Sequence, residues 1–287
     1  MSPTPSPQLS ATVSSTLPLS GKTVLITRSV GQSSQFARLI TDAGANVIEM
    51  PALEICPPSS WDALDQAIAN LSEFDWLILT SGNGISYFCE RLMVLGKDAR
   101  TLANLKIAVV GEKTAKILKN HHLKPDFIPP NFIADSLIEH FPEQLAGKKI
   151  LFPRVETGGR EDLVREFENQ GASVMEVSAY QSCCPDEVLP SAELALQSGT
   201  VDIITFASSK TVKFFSQLAE KIFSDDSQDN QSSVVSNYLE DVCIASIGPQ
   251  TSIACQTYFG RVDIEASDYT LEGLTQAIID WTTNNRE

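Results

Sequence analysis

Gly171 to Ser182, GASVMEVSAYQS, has a near twin at Gly44 to Cys56, GANVIEMPALEIC, so the chain is built twice and should fold as two similar halves. Gly44 and Gly171, Val47 and Val174, and Glu49 and Glu176 are each 127 positions apart, as are Asp75 and Asp202, and Ser81 and Ser208. VLITR at Val24–Arg28 matches ILFPR at Ile150–Arg154 at an offset of 126. Further on, Gly111 and Gly248, Thr114 and Thr251, and Leu137 and Leu274 stand 137 apart, which puts a ten-residue insertion in the second half, in the polar run SDDSQDNQSS at Ser224–Ser233. Helix and strand periodicity repeats apolar positions, but it does not by itself repeat Arg, Ser, Thr and Gly.

The length of 287 residues suits two domains, each large enough to bury a core without disulfides or metals. No run reaches the roughly 18 to 20 apolar residues of a membrane span, so no membrane partner is expected. A net charge of -15 argues against nucleic acid, which is held by Lys and Arg on phosphate. An anionic ligand would therefore have to meet a local positive pocket. The six Cys form no C-x-x-C pair and read as reduced thiols in a cytoplasmic setting. His121, His122 and His140 lie away from the repeated motifs, so no metal site and no cofactor are expected.

Residues 1–20 hold four Pro, six Ser and three Thr, with no Lys or Arg before Lys22; this reads as a disordered tail without a secretory or transit signal. The folded part is expected to start near Gly21, and removal of Met1–Leu19 to leave stability unchanged. TVLIT is an apolar run fit for a strand buried on both faces, and Phe36, Leu39, Ile40 and Ala43 continue at helical spacing. Strands at Trp76–Thr80 and Lys106–Val110 follow, each entering a turn and a helix, and a short strand is expected at Asp126–Ile128. The second half replays the order with strands at Ile150–Arg154, Ser173–Tyr180, Asp202–Phe206, Val242–Ile247 and Val262–Ile264, and a last helix from Thr270. Strands alternating with helices give parallel sheets covered on both faces.

In such sheets ligands collect at the carboxyl ends of strands, where helix starts present free N–H groups. Arg28, Ser81, Asn83 and Thr114 in one half, and Arg154, Ser208, Ser209 and Thr251 in the other, each follow an apolar strand. For any single Ser or Thr the plainer role is a helix N-cap. The chain has no G-x-G-x-x-G, no G-x-x-x-x-G-K-[ST] and no G-x-S-x-G, so the dinucleotide, P-loop and α/β-hydrolase patterns lack their defining residues.

VLITR, ILTSGNG, AVVGEKTA, ILFPRVETGGREDL, SAYQS, TFASSKTV, SIGPQTS and YTLEGL, in that order and spacing from Gly21 to about Ile279, resemble the uroporphyrinogen-III synthase family. The resemblance implies an enzyme that closes the linear tetrapyrrole hydroxymethylbilane to uroporphyrinogen III, losing water and inverting the last ring, without cofactor or metal; the long polar helix faces without an apolar stripe point to a monomer. It implies two similar α/β lobes, each a parallel sheet flanked by helices, joined by a two-stranded antiparallel linker. The lobes would be discontinuous: 21–48 with 183–287 in one, 57–172 in the other, and 49–56 and 173–182 as linker strands. The sequence itself does not separate this exchange from two contiguous lobes split near Gly147. Arg28, Arg154 and Arg160 are candidates for the substrate carboxylates. Tyr180, whose counterpart at an offset of 127 is Leu53, aligns with a tyrosine proposed in the family to assist departure of the substrate hydroxyl. Two other classes fit the same pattern: a two-lobed protein that binds a small anion without catalysis, and a nucleotide-sugar or dinucleotide enzyme.

Overall fold

The structure is a computed structural model that describes residues 17–29, 33–131, 134–158, 161–223, 235 and 238–285. The insertion at Ser224–Ser233 lies outside the described residues. Contacts within the chain divide it into two units: one holds the chain up to Glu54 and again from Cys184, the other runs from Ile55 to Cys183.

In the first unit, β1 (Thr23–Ile26), β2 (Asn46–Glu49), β8 (Ile203–Phe206), β9 (Cys243–Ser246) and β10 (Ile264–Glu265) form a sheet in the order β10-β9-β8-β1-β2, with every pair parallel. Its strands are apolar on both faces because both faces are covered. Leu25, Ile204, Phe206 and Ile244 pack against α7 (Pro190–Gln197), α8 (Ser209–Phe223) and α9 (Pro249–Phe259). The alternate residues Val24, Ile26, Ile203 and Ala245 pack against α1 (Ser34–Asp42) and α10 (Leu271–Asn284). Burial on both faces is what the continuous apolar runs of the sequence call for.

The second unit has the order β3-β7-β6-β4-β5, from β3 (Glu54–Cys56), β4 (Trp76–Leu79), β5 (Lys106–Val109), β6 (Lys149–Val155) and β7 (Ser173–Cys183). Leu77, Leu79, Ile107, Val109 and Leu151 face α2 (Asp62–Ala69), α3 (Gly82–Val94) and α4 (Glu112–Asn120). Trp76, Ile78, Ala108, Ile150 and Phe152 face α5 (Ala134–Glu139) and α6 (Glu161–Asn169). At Asp126–Ile128 the expected strand is reduced to one parallel bridge, Ala108 to Phe127. It matches Ala245 to Ile264 in the first unit at the offset of 137.

The duplication is therefore physical, and it is crossed. The Thr23 N–H donates to Asp202 of the second half, and the Lys149 N–H donates to Asp75 of the first, each at the start of a central strand. Lys22 pairs with Asp202 and Lys148 with Asp75 in the same way. Asp126 accepts from the Ile107 N–H as Asp263 accepts from the Ile244 N–H. Each sheet thus joins the opening β-α-β of one half to the later strands of the other.

The segment 173–182, expected as a linker strand, lies in β7, which has β6 on one side and β3, from the other expected linker segment, on the other; Val177, Ala179 and Tyr180 bury their side chains among the residues facing α2 and α3. One expectation changes at this point. Residues 17–20 form an ordered turn instead of the end of a tail. Leu19 is 0% exposed and its N–H donates to the Ala43 carbonyl at 2.8 Å.

The six cysteines are all free. Burial pushes the Cys243 and Cys255 thiols up to about 12, so they pack as small apolar groups. No helix among the described residues is long and apolar enough to cross a membrane.

Glu143 carries a testable share of the second unit's stability. It accepts from the indole Nε1 of the buried Trp76 at 2.7 Å and pairs with Lys148 and Lys106. Hydrogen bonds from Lys148, then Lys106 and Trp76, hold its carboxyl at about 2. A carboxyl lowered in the folded state stabilises the fold above its ordinary range, and that contribution is lost as pH falls toward about 2. Glu143→Gln keeps an acceptor for Trp76 but drops the charge. The melting-temperature gap between parent and Glu143→Gln should shrink between pH 5 and pH 2, and a gap independent of pH would contradict this account.

Candidate active site

In the second unit, Ser81 and Tyr180 meet at the carboxyl ends of β4 and β7, whereas Arg154, on β6 between them, turns its side chain to the other face of the sheet, with Phe152 and Glu176. Ser81 ends the extended run of β4 and caps α3, its Oγ accepting from the Gly84 N–H at 3.0 Å. The Tyr180 hydroxyl lies 3.0 Å from the same Oγ. Tyr180 is 9% exposed, and its ring stacks on Tyr87 with centroids 5.9 Å apart. Tyr87 in turn donates to the Ile55 carbonyl at 2.9 Å.

A register slip aims Tyr180. Arg154 pairs with Ser178, but the next residue, Val155, pairs with Tyr180, so β7 carries one extra residue at this point. Strict alternation would put Tyr180 on the face opposite Val177 and Ala179. The bulge returns it to their face, under α3, as bulges beside functional sites often re-aim a side chain. Gly84 completes the fit, since a Cβ there would sit 3.2 Å from Ser81 Oγ and 3.8 Å from the Tyr180 ring.

Arg154 is already engaged. Its guanidinium pairs with Glu176 on β7, donates to the Gly158 carbonyl at 3.0 Å and lies over the Phe152 ring. Arg154, Gly158 and Glu176, together with Glu156 and Ser178, line a cavity of about 320 Å³. Asn83 is exposed on the first turn of α3, whereas Thr114 on α4 is 7% exposed and contributes mainly to packing. Arg160 lies outside the described residues.

In the first unit, Arg28, Ser208, Ser209 and Thr251 gather at the carboxyl ends of β1, β8 and β9. Arg28 is half-buried, and desolvation lowers its pKa from the ordinary arginine value. Ser208 accepts from the Thr211 N–H at 3.2 Å, the counterpart of the Ser81 cap. Ser209 is exposed and donates to the Gln250 carbonyl at 2.8 Å, tying the start of α8 to the start of α9. Thr251 is 4% exposed. Tyr269, which the sequence reading did not single out, lays its ring over Gly248, where a Cβ would meet it at 2.9 Å.

A larger cavity of about 700 Å³ in this unit is lined by Asp263, Glu265, Asp268, Glu272 and Asp280. So many carboxylates repel an anionic ligand, which makes this cavity the wrong partner for a polycarboxylate despite its size.

A duplicated α/β protein with parallel sheets, its hydroxyls and guanidinium groups at the carboxyl edges and one phenol held on a bulged strand, is the class these features define. A family model described as uroporphyrinogen-III synthase HemD matches residues 34–276. The chain is 51% identical over 264 residues to a uroporphyrinogen-III synthase of Synechococcus elongatus, covering 92% of this chain and 97% of that one. Among solved structures, uroporphyrinogen-III synthetase from Helicobacter pylori aligns with a TM-score of 0.55 at 18% identity, over 91% of this chain and 99% of the other. A mutant uroporphyrinogen III synthase from Thermus thermophilus aligns with a TM-score of 0.52 at 20% identity, over 92% and 100%. These two likenesses concern the fold. The chain belongs to the uroporphyrinogen-III synthase family.

Proposed function

We infer that this chain is a cyclising lyase of tetrapyrrole synthesis that converts hydroxymethylbilane to uroporphyrinogen III with loss of water, and that Tyr180 assists departure of the hydroxyl. Identity of 51% to a uroporphyrinogen-III synthase along nearly all of both chains is the observation that carries the activity. The Tyr180 hydroxyl, held beside a helix start at the carboxyl edge of β7, supports the residue assignment.

Leaving of the hydroxyl is driven by the pyrrole nitrogen and gives an azafulvene, which the substituted carbon of the last ring then attacks. Little covalent work is left to the protein. It must position the chain, assist the leaving water and shield a cation from solvent, which are tasks of orientation and electrostatics. The acetate and propionate arms call for cations and backbone N–H groups. Arg28, Arg154 and Arg160 are proposed to meet them with the helix starts at Ser81, Asn83, Thr114, Ser208, Ser209 and Thr251. Arg154 would exchange Glu176 for a substrate carboxylate, and Thr114 and Thr251 would act through their backbone, since their side chains are buried. We take the working form to be a cytoplasmic monomer.

Purified protein given freshly prepared hydroxymethylbilane, with excess chelator present, should yield the III isomer. A binding protein without catalysis would leave spontaneous closure to the I isomer, and that product alone would overturn the reading.

A further inference from the structure

The Ser81 Oγ has two acceptor positions and one proton. One acceptor position takes the Gly84 N–H at 3.0 Å, and the hydroxyl of Tyr180 stands 3.0 Å away on the other side. The duplication supplies an internal comparison. At the equivalent place in the first unit, the Ser208 hydroxyl accepts from the Thr211 N–H and turns its own proton to the Thr211 side-chain oxygen at 3.3 Å. Gly84 stands where Thr211 stands, at an offset of 127, and brings no hydroxyl. In the second unit the serine proton is therefore released from its local partner, and the oxygen beside it belongs to Tyr180. The same two positions, 81 and 84, thus cap the helix and aim a hydroxyl at Tyr180, whose counterpart at the offset of 127 is Leu53.

We propose that the Ser81 side chain is a positioning group for catalysis, while the backbone N–H groups of the helix start it caps remain for the substrate arms: the Ser81 hydroxyl donates to the Tyr180 oxygen and so leaves the phenol proton free for the departing hydroxyl. This rests on the role given to Tyr180 above. The chain runs from the Gly84 N–H to Ser81 and from the Ser81 O–H to Tyr180, and each bond polarises the next, favouring release of the phenol proton. The step balances. The carbon–oxygen bond of the hydroxymethyl group breaks, its electron pair leaves with oxygen, the Tyr180 proton completes water, and the pyrrole nitrogen supplies electrons to the carbon left behind. The proton lost when the closed ring regains aromaticity restores the phenol. Were Tyr180 instead to donate to Ser81, its proton would be occupied and that bond would have to break on every turnover.

A double-mutant cycle tests this, because loss of the helix cap is common to both backgrounds and cancels. Ser81→Ala should lower kcat about 3- to 10-fold with little change in KM when Tyr180 is present, and less than about 2-fold in the Tyr180→Phe background, as expected for two groups acting in one network. Ser81→Thr, which keeps cap and hydroxyl, should restore the rate. Should Ser81→Ala fold poorly, Ser81→Gly serves, since glycine is tolerated at an N-cap. Independent losses that multiply in the double variant would overturn the positioning role while leaving Tyr180 its own. A fully active Tyr180→Phe would remove the acid itself, and both readings would fall together.

Discussion

Tyr180→Phe is expected to fold normally and to form uroporphyrinogen III about 10- to 10²-fold more slowly, at or below the low end of the usual range for a positioned general acid. The ring stays, so the stack on Tyr87 and the packing under α3 are kept. What is lost is the hydroxyl beside Ser81. The loss is bounded because the pyrrole nitrogen supplies most of the push and orientation of the substrate is untouched. Tyr180→Ala separates the two roles of the side chain: it removes the ring from a site only 9% exposed and should lower both stability and rate. Melting temperature and III-isomer formation, measured together on the Phe variant, decide between a catalytic hydroxyl and a tyrosine that only packs. Full activity in that variant would end the catalytic claim.

How far the sequence could be read depended on which bonds leave letters. Duplication copies hydrogen bonds as well as apolar faces, so Asp75 and Asp202 stand out as matched letters, and each accepts from the first residue of a central strand. The crossing of the halves leaves none. Val24 pairs with Ile203 and Trp76 with Ile150, yet the offsets would be the same if each half had closed on itself, since only the long-range pairing differs. The bulge at Tyr180 is hidden for a similar reason, because a slip of one residue is set by what β6 and β7 share across the sheet. Serines at strand ends were visible, but their bonding was not. Ser81 and Ser208 read alike, and only the neighbours at Gly84 and Thr211 send their protons to different oxygens. Arg154 was visible as a cation, and its pairing with Glu176 was not, although Glu176 was itself a repeated letter.

The opening turn shows the opposite failure, where a legible signal was passed over for composition. LSGKTVL at Leu19–Leu25 matches LAGKKIL at Leu145–Leu151 at the offset of 126, but the Ser and Pro before it assign the first of these to a tail. In the structure both leucines are buried, Leu19 at 0% and Leu145 at 3% exposure. Each leads through an L-x-G-K turn, whose glycine has positive φ, into an interior strand of its sheet. Leu19 packs with Val24, Ile26, Phe36 and Ile40, accepts from the Lys22 N–H through its carbonyl, and donates to Ala43. Gly44 depends on the same turn, since a Cβ there would stand 2.5 Å from that of Leu17. Leu19→Ala should therefore cost about 3 kcal/mol, toward the low end for buried leucines because a turn near the start of the fold relaxes more easily than a central strand. That is roughly a 100-fold change in the folding equilibrium and a fall of about 6 to 12 °C in melting temperature for a domain of this size. Leu145→Ala should do the same to the second unit. Thermal and urea unfolding of both variants measure it, and a Leu19→Ala protein melting within about 2 °C of the parent would mean that the folded part begins only at Gly21.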